Sequence, residues 1–216
     1  IIAAPCGSDC SLFEEIRKMQ IPLVLIDRFF SDTHISYVTT NNYLGGVEGT
    51  NMLIRNGHKN IACIQGAKSS MPNRKRVAGY MEALKHAGLQ DNAILVGDEF
   101  SIQNGYMETK LLLGRKPRPT AIFSLSNTIG LGAMKAIREA GLKIPDDISI
   151  VSFDNNIYMD YLTPPISRVG QPVEEMAKLA VRLLMECIES KKNICTQLEL
   201  SPELISRDSV KNINSI

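Results

Sequence analysis

Residues 119–171 read PTAIFSLSNTIGLGAMKAIREAGLKIPDDISIVSFDNNIYMDYLTPPISRVGQ, and this stretch decides the fold. It alternates strand, polar turn, helix, strand, polar turn. The apolar run 121–125 has strand character. Ser126 and Asn127 follow, and either can cap a helix by accepting a backbone N–H bond. Ile129, Ala133, Ala136, Ile137 and Ala140 then mark one helical stripe, which Gly141 stops because glycine takes a positive φ without steric cost. A second apolar strand, 148–153, ends abruptly at Asp154-Asn155-Asn156. Two parallel strands joined by a helix place both polar turns at one sheet edge. Open α/β folds bind ligands there, beyond the carboxyl ends of the strands. The stretch is expected to form half of a small-molecule pocket.

The same alternation continues on both sides. Strands are expected at 1–4, 23–26, 36–39, 61–65 and 93–96, and helices at 12–19, 42–56, 73–87 and 101–113. The strongest helix is 173–188, where Val173, Met176, Ala177, Ala180, Leu183, Leu184, Cys187 and Ile188 repeat at three and four. Two last strands, near 197–200 and 203–206, flank Pro202, and the polar tail after Arg207 is expected to fray. Strands alternating with helices imply parallel sheets covered by helices. A fresh strand–helix series after the helix stop at Gly57 implies two lobes.

At 216 residues, with 44% hydrophobic and 22% charged, the chain can bury a sizeable core. Its net charge of +1 argues against a main nucleic-acid surface within it, which would be distinctly basic. Cys6, Cys10, Cys63, Cys187 and Cys195 are an odd number without a CxxC pair, which points to reduced thiols and a cytoplasmic protein. The longest apolar runs are strand-length, so no membrane span is expected. The chain opens in an apolar run without Met and reads as a piece of something longer.

The motifs, taken in order, are IPLVLIDR at 21–28, GHKNIA at 57–62, RVAGYMEAL at 76–84, PTAIF at 119–123 and IPDDIS at 144–149. FD at 153–154, YLTPP at 161–165, QP at 171–172 and ELISR at 203–207 complete the set. No one of these is diagnostic, but in this order and spacing the chain closely resembles the effector-binding core of LacI-type bacterial transcription regulators. The match runs over nearly the whole chain. The resemblance implies an α/β fold of two doubly wound parallel-sheet lobes, periplasmic-binding-protein-like of type I, with a ligand cleft between them. It implies three crossings, near Gly57, Gln171-Pro172 and Ser201-Pro202. The N-terminal lobe is then 1–57 plus 172–201, incomplete as written. The C-terminal lobe is 58–171 plus 202–210, and 211–216 is a tail. An N-terminal helix-turn-helix headpiece is implied outside these residues.

The candidate ligand contacts each have an ordinary alternative. By spacing alone Arg76 is a solvated helix charge, like Arg74 and Lys75. Its fork of donors suits hydroxyl pairs or a carboxylate, and the resemblance places it on the family's effector-contacting arginine. Asp154, after a wholly apolar strand, is either a turn cap or an acceptor for two sugar hydroxyls; the resemblance favours the second. Asp27, the analogous strand-end carboxylate, is either a ligand contact or half of a salt bridge. Phe100 and Phe123 can stack on an apolar ring face, although a phenylalanine beside a strand is more often core. Phe100 aligns with a family pocket aromatic. Ser126-Asn127 departs from the family's usual Asn-Asp, and Asn41 stands where Asp is usual before Asn42, so these turns carry the effector preference. Gln171, at a crossing, is a hinge or pocket residue. Arg76→Ala and Asp154→Ala are each expected to abolish effector response with the fold intact.

The sequence shows no GxSxG, P-loop, GxGxxG or metal-ligand spacing, and no cofactor, metal or catalysis is expected. The expected function is the ligand-sensing core of a homodimeric DNA-binding regulator. A small sugar-like molecule would control operator binding by the headpiece. A periplasmic-type sugar-binding protein is the alternative of the same fold. A sugar-modifying enzyme is a third reading, disfavoured by the lack of a nucleophile–base pair.

Overall fold

The computed structural model describes residues 1–7, 9–31, 33–190 and 195–214. In chain order its elements begin with β1 (Ile2–Ala3), α1 (Ser11–Lys18), β2 (Val24–Ile26), β3 (Ser36–Thr40), α2 (Asn42–Arg55), β4 (Ile61–Ile64) and α3 (Met71–His86). Next come β5 (Ile94–Val96), α4 (Ile102–Leu113), β6 (Ala121–Ser124), α5 (Asn127–Glu139), β7 (Ser149–Phe153), β8 (Ser167–Gly170), α6 (Val173–Ser190), β9 (Gln197–Leu200) and β10 (Glu203–Ile205). These residues fall into two compact units. Unit 1 comprises Ile1–Asn41, Ser69–Met71 and Gln171–Pro202; unit 2 comprises Asn42–Lys68, Pro72–Gly170 and the chain from Glu203 onward.

Unit 1 is a four-stranded parallel sheet, ordered β1-β2-β3-β9 among the described residues. Successive residues of a strand face opposite sides, and both sides here are apolar, as a parallel sheet covered by helices requires. Val24 and Val38 pack on Met176, Ala180 and Leu183 of α6. Leu25 and Tyr37, on the other face, meet Phe13 and Ile16 of α1.

Unit 2 is a six-stranded sheet ordered β10-β8-β7-β6-β4-β5, parallel except for β10 against β8. Ile61, Cys63, Phe123, Val151 and Phe153 face a core with Leu53 of α2 and Tyr80 and Leu84 of α3. Ala62, Ile64, Ile122 and Ile150 face the opposite core, with Leu112 of α4 and Ile129, Ala133 and Ile137 of α5. No described helix is long and apolar enough to cross a membrane.

Two expectations need correction, and one strand was not anticipated. The crossing expected at Gly57 falls between Asn41 and Asn42. The reason is packing: α2 buries Gly45, Gly49, Met52 and Leu53, and its glycines sit against the rings of Phe153 and Phe123 in unit 2. The strand not anticipated is β8, which carries none of the apolar pattern expected of a strand, yet Ser167, Arg168, Val169 and Gly170 are all buried between β7 and β10. The second correction is that the tail is fastened as far as Asn214. Ser209 Oγ donates to the Ile150 carbonyl at 2.6 Å, Lys211 N–H to Ser149 Oγ at 3.0 Å and Ile213 N–H to the Asn56 carbonyl at 2.9 Å. The polar residues that looked solvated satisfy backbone groups of β7 and the end of α2. Residues 215–216 lie outside the described residues.

Candidate functional site

In unit 2 the chain winds outward from β4 to β5, then crosses back to β6, β7 and β8 on the other side. Helix α3 covers one face, and α4 and α5 the other. The carboxyl ends of β4 and β6 thus flank a switch point, where successive connections diverge and leave a crevice. Gln65-Gly66 follows β4 there, Leu125-Ser126 follows β6, and Asp154 follows β7 one strand further on.

Arg76 reaches this edge because α2 and α3 cross at unusually short range. A Cβ on Gly46 would collide with the Arg76 carbonyl oxygen and lie 3.0 Å from its carbonyl carbon. A Cβ on Gly79 would lie 2.7 Å from Val47 N and 2.9 Å from Gly46 Cα. Glycine at both positions is what lets the backbones meet. The crossing brings Asn42, at the start of α2, to Arg76, whose Nε donates to Asn42 Oδ1 at 2.8 Å. Nη1 donates to the Leu125 carbonyl at 2.7 Å. The guanidinium lies 3.6 Å from the Phe153 ring centroid. Arg76 is only 5% exposed, and these charge-assisted bonds and the ring face offset the cost of removing the cation from water. Sequence reasoning missed Phe153 as a site-shaping residue. Its one signal was an aromatic side chain directly before Asp154.

Asp154 takes φ +76°, and Asp27, its counterpart in unit 1, takes φ +68°. Left-handed backbone is uncommon outside glycine, and Asp is among the residues that tolerate it. Such conformations cluster at ligand sites; of the three described non-glycine residues that adopt one, two are the carboxylates predicted to touch ligand, and the third is Gln20, just after α1. Asp154 Oδ2 accepts the Asn127 N–H at 3.2 Å. Ser126 is the N-cap, accepting the Ile129 N–H at 3.3 Å, and Asn127 Oδ1 accepts the Thr128 N–H at 2.7 Å. The three amides that open α5 and lack intrahelical partners are therefore all met. Asp154 serves as a cap, but for α5 rather than for the turn that follows it. Burial, and then the charge of Asp154, hold the Tyr158 phenol above its usual range.

Phe100 is half-buried with its ring against Gly66, where any Cβ would collide with it. Asn73, buried in the first turn of α3, accepts the Gly66 N–H at 2.8 Å and donates to Gln65 Oε1 at 3.2 Å. Asn104 Nδ2 donates to the carbonyls of Gln65 at 3.0 Å and Glu99 at 2.6 Å. These two amides, which the sequence did not single out, fix the Phe100 loop on the end of β4. Phe123 does not belong to the edge. It is 0% exposed, with its ring against Gly49 under α2, because a residue at that register of β6 faces the side of the sheet covered by α2 and α3.

The loop after Asp154 is held by Arg168, which is 2% exposed on β8. Its Nη1 and Nη2 clasp Asp160 at 2.9 and 2.8 Å, and its Nε donates to Asn155 Oδ1 at 2.8 Å. Arg207 Nε adds a 2.7 Å bond to Asp160. Hydrogen bonds from Arg168 and then Arg207 bring the Asp160 carboxyl down to about 2.

In unit 1, Asp27 ends β2. Its N–H donates to the Val38 carbonyl at 3.0 Å and its own carbonyl accepts the Thr39 hydroxyl at 2.6 Å. Its half-exposed carboxylate is 3.8 Å from Arg28 Nε. Gln171 Oε1 accepts the Thr40 hydroxyl at 3.0 Å, at the end of β3. Arg76, Phe100, Ser126, Asn127 and Asp154 thus share the strand-end edge of unit 2, while Asp27 and Gln171 share that of unit 1. Both Arg76 and Asp154 carry structural bonds, so Arg76→Ala and Asp154→Ala are expected to cost stability as well as any ligand contact. Among the described residues, no group of three or more His, Cys, Asp or Glu is arranged to hold a metal ion.

Comparison with known proteins gives a consistent result. The periplasmic binding protein-like domain family matches residues 50–210. The HTH-type transcriptional repressor PurR of Vibrio vulnificus is 34% identical over 212 residues, covering 95% of this chain and 64% of its own length. The chain thus spans just under two thirds of such curated relatives. A LacI-family regulatory protein from Chloroflexus aggregans superposes with a TM-score of 0.87 at 30% identity, covering 97% of this chain and 75% of that one. A LacI-family regulator from Enterococcus faecium, solved with bound ribose, gives a TM-score of 0.90 at 26% identity, covering 99% of this chain and 79% of that one. This chain belongs to the periplasmic binding protein-like family and, within it, to the LacI-type transcriptional regulators.

Proposed function

We propose that this chain is the effector-sensing core of a cytoplasmic, homodimeric transcriptional regulator. It takes a sugar or sugar derivative at the strand-end edges of its sheets and controls operator binding by a helix-turn-helix headpiece. The observation that carries this reading is the edge of unit 2: a buried arginine over the Phe153 ring, and a carboxylate at the start of α5, both at the carboxyl ends of parallel strands. That pairing sets a guanidinium donor and a carboxylate acceptor at one edge, the two kinds of group that hydroxyls require. Asp27 and Gln171 are the contacts proposed from unit 1. Ser126 and Asn127, which stand where the family resemblance implies Asn-Asp, set which sugar fits. The bound ribose of the Enterococcus faecium regulator supports a sugar as the ligand class. The ligand leaves unchanged, and it shifts operator affinity only as far as its affinities for the two conformations differ. The test is a fusion of this chain to its native N-terminal headpiece, assayed for operator binding with and without a panel of pentoses and hexoses. A sugar-dependent change in operator affinity is expected. Turnover of a bound sugar, or operator binding indifferent to every sugar that the core binds, would overturn the reading.

A further inference from the structure

We propose that Arg168 is a positioning residue for the effector site, acting through Asn155 and Asp160 on the loop that presents Asp154. The proposal rests on the reading of Asp154 as a ligand anchor. Asp154 sits at a left-handed backbone angle, φ +76°, with its side chain capping α5. The next residue, Asn155, is wedged: its Oδ1 accepts from Arg168 Nε at 2.8 Å, and a Cβ on Gly170 would lie 3.2 Å from its Cβ. Midway along the loop Asp160 is gripped through both carboxylate oxygens by the same guanidinium. Arg168 Nη1 also donates to the Ile166 carbonyl at 3.1 Å, so one buried side chain fastens the loop at its start, at its turn and where it re-enters β8.

The placement of these partners along the chain adds to the case. Arg168 lies on the strand that leads out of unit 2 at Gly170, and Arg207, the second partner of Asp160, follows the strand that leads back in at Glu203. The carboxylate of Asp160 therefore ties the ligand-presenting loop to β8 and to the chain just after β10, on either side of the excursion through Gln171–Pro202. A lysine cannot replace Arg168, because a point charge cannot serve the Asp160 fork and Asn155 together.

The Asn127 amide reports on this directly. It opens α5, has no intrahelical acceptor, and is accepted by Asp154 Oδ2. Its neighbours Thr128 and Ile129 are accepted instead by Asn127 and Ser126 side chains, and so serve as internal controls. The experiment is amide hydrogen exchange by NMR on the wild-type chain and on Arg168→Met, Arg168→Lys and Asn155→Ala. Asn155→Ala cuts the link at the start of the loop while leaving the Arg168–Asp160 ion pair, so it keeps the test available if Arg168→Met does not fold. Exchange at Asn127 is expected to quicken by roughly tenfold or more in all three variants, the scale of losing a charge-assisted hydrogen bond, with Thr128 and Ile129 unchanged. Unchanged Asn127 protection in the folded variants would overturn the proposal. So would equal loss at all three amides, which would mean general fraying of α5. The anchor reading fails by a different route, through ligand affinity in Asp154→Asn, a variant that keeps an acceptor for Asn127.

Discussion

Replacing Gly46 by alanine sets two effects of opposite sign against each other. Alanine inside a helix is favoured over glycine by about 1 kcal/mol through backbone entropy. If α2 were an isolated surface helix, the variant would gain that much. The added Cβ, however, would collide with the Arg76 carbonyl oxygen and lie 3.0 and 3.1 Å from Arg76 C and Cα. All three obstacles are backbone, so no side chain can rotate aside. On the facing side, Gly79 already lacks room for a Cβ against Tyr43 and Val47. The helices must separate, and overpacking of this kind costs about 3 kcal/mol, the upper part of its usual range. The net expectation is a loss of about 2 kcal/mol, or a fall of about 4–8 °C in Tm at this chain length. The separation also draws Asn42 away from the Arg76 guanidinium. The assay is thermal unfolding followed by circular dichroism, with the Arg76 Nε–H signal followed by NMR. A Tm equal to or above that of the wild type would refute the helix-crossing argument. So would an unmoved Arg76 signal in a destabilised variant.

His58 gives a pH dependence with a definite sign. It is 2% exposed, 3.0 Å from Thr120 Oγ1 through Nδ1 and 3.2 Å from the Lys211 carbonyl through Nε2. Burial lowers its pKa below the ordinary 6.5, against a smaller opposing effect of the Lys211 carbonyl. The unfolded chain therefore takes up a proton that the folded chain resists. The contribution is complete above the unfolded value and is lost as pH falls through 6.5 towards the folded value, with a slope of at most about 1.4 kcal/mol per pH unit. Urea unfolding of wild type and His58→Gln at pH 7.5 and 5.5 should show the wild type losing more stability on acidification; equal losses would contradict it. Thiol labelling supplies another check. Cys63 is buried and its thiol is pushed up by burial, whereas Cys6 and Cys195 are exposed. A disulfide reagent should modify Cys6 and Cys195 readily and Cys63 only on unfolding. Rapid native labelling of Cys63 would show that the β4 core opens.

The stretch 119–171 was legible where local physics decides it. Ser126 and Asn127 read as the start of a helix from the sequence alone, and the apolar runs 121–125 and 148–153 read as parallel strands. What could not be read was set by tertiary partners. β8 is polar, and Arg168 looks like a surface charge until Asp160 and Asn155 are seen to enclose it. The placement of α2 turns on glycines whose meaning lies in α3 and in the rings of Phe123 and Phe153, none of which a helical period shows. Phe123 illustrates the same limit. Its residue type suited a stacking role, but only the sheet register decides that it faces α2. The candidate carboxylates were easier, because a strand that ends on Asp exposes its sheet edge in the sequence itself. Their shared positive φ came only with the backbone.

The strand-end edge of unit 2 is proposed to bind a sugar through Asp154. The measurement that tests it most directly is calorimetric titration of a pentose and hexose panel, with D-ribose first, into the wild-type chain and Asp154→Asn. Asparagine retains an acceptor for the Asn127 amide, so the cap on α5 survives while the charge and one acceptor are lost. The prediction is one sugar bound per chain in the wild type, weakened by about tenfold or more in Asp154→Asn, the scale of a hydrogen bond to a charged group. Equal affinity in the two proteins, or no binding of any sugar in the panel to the wild type, would contradict the account.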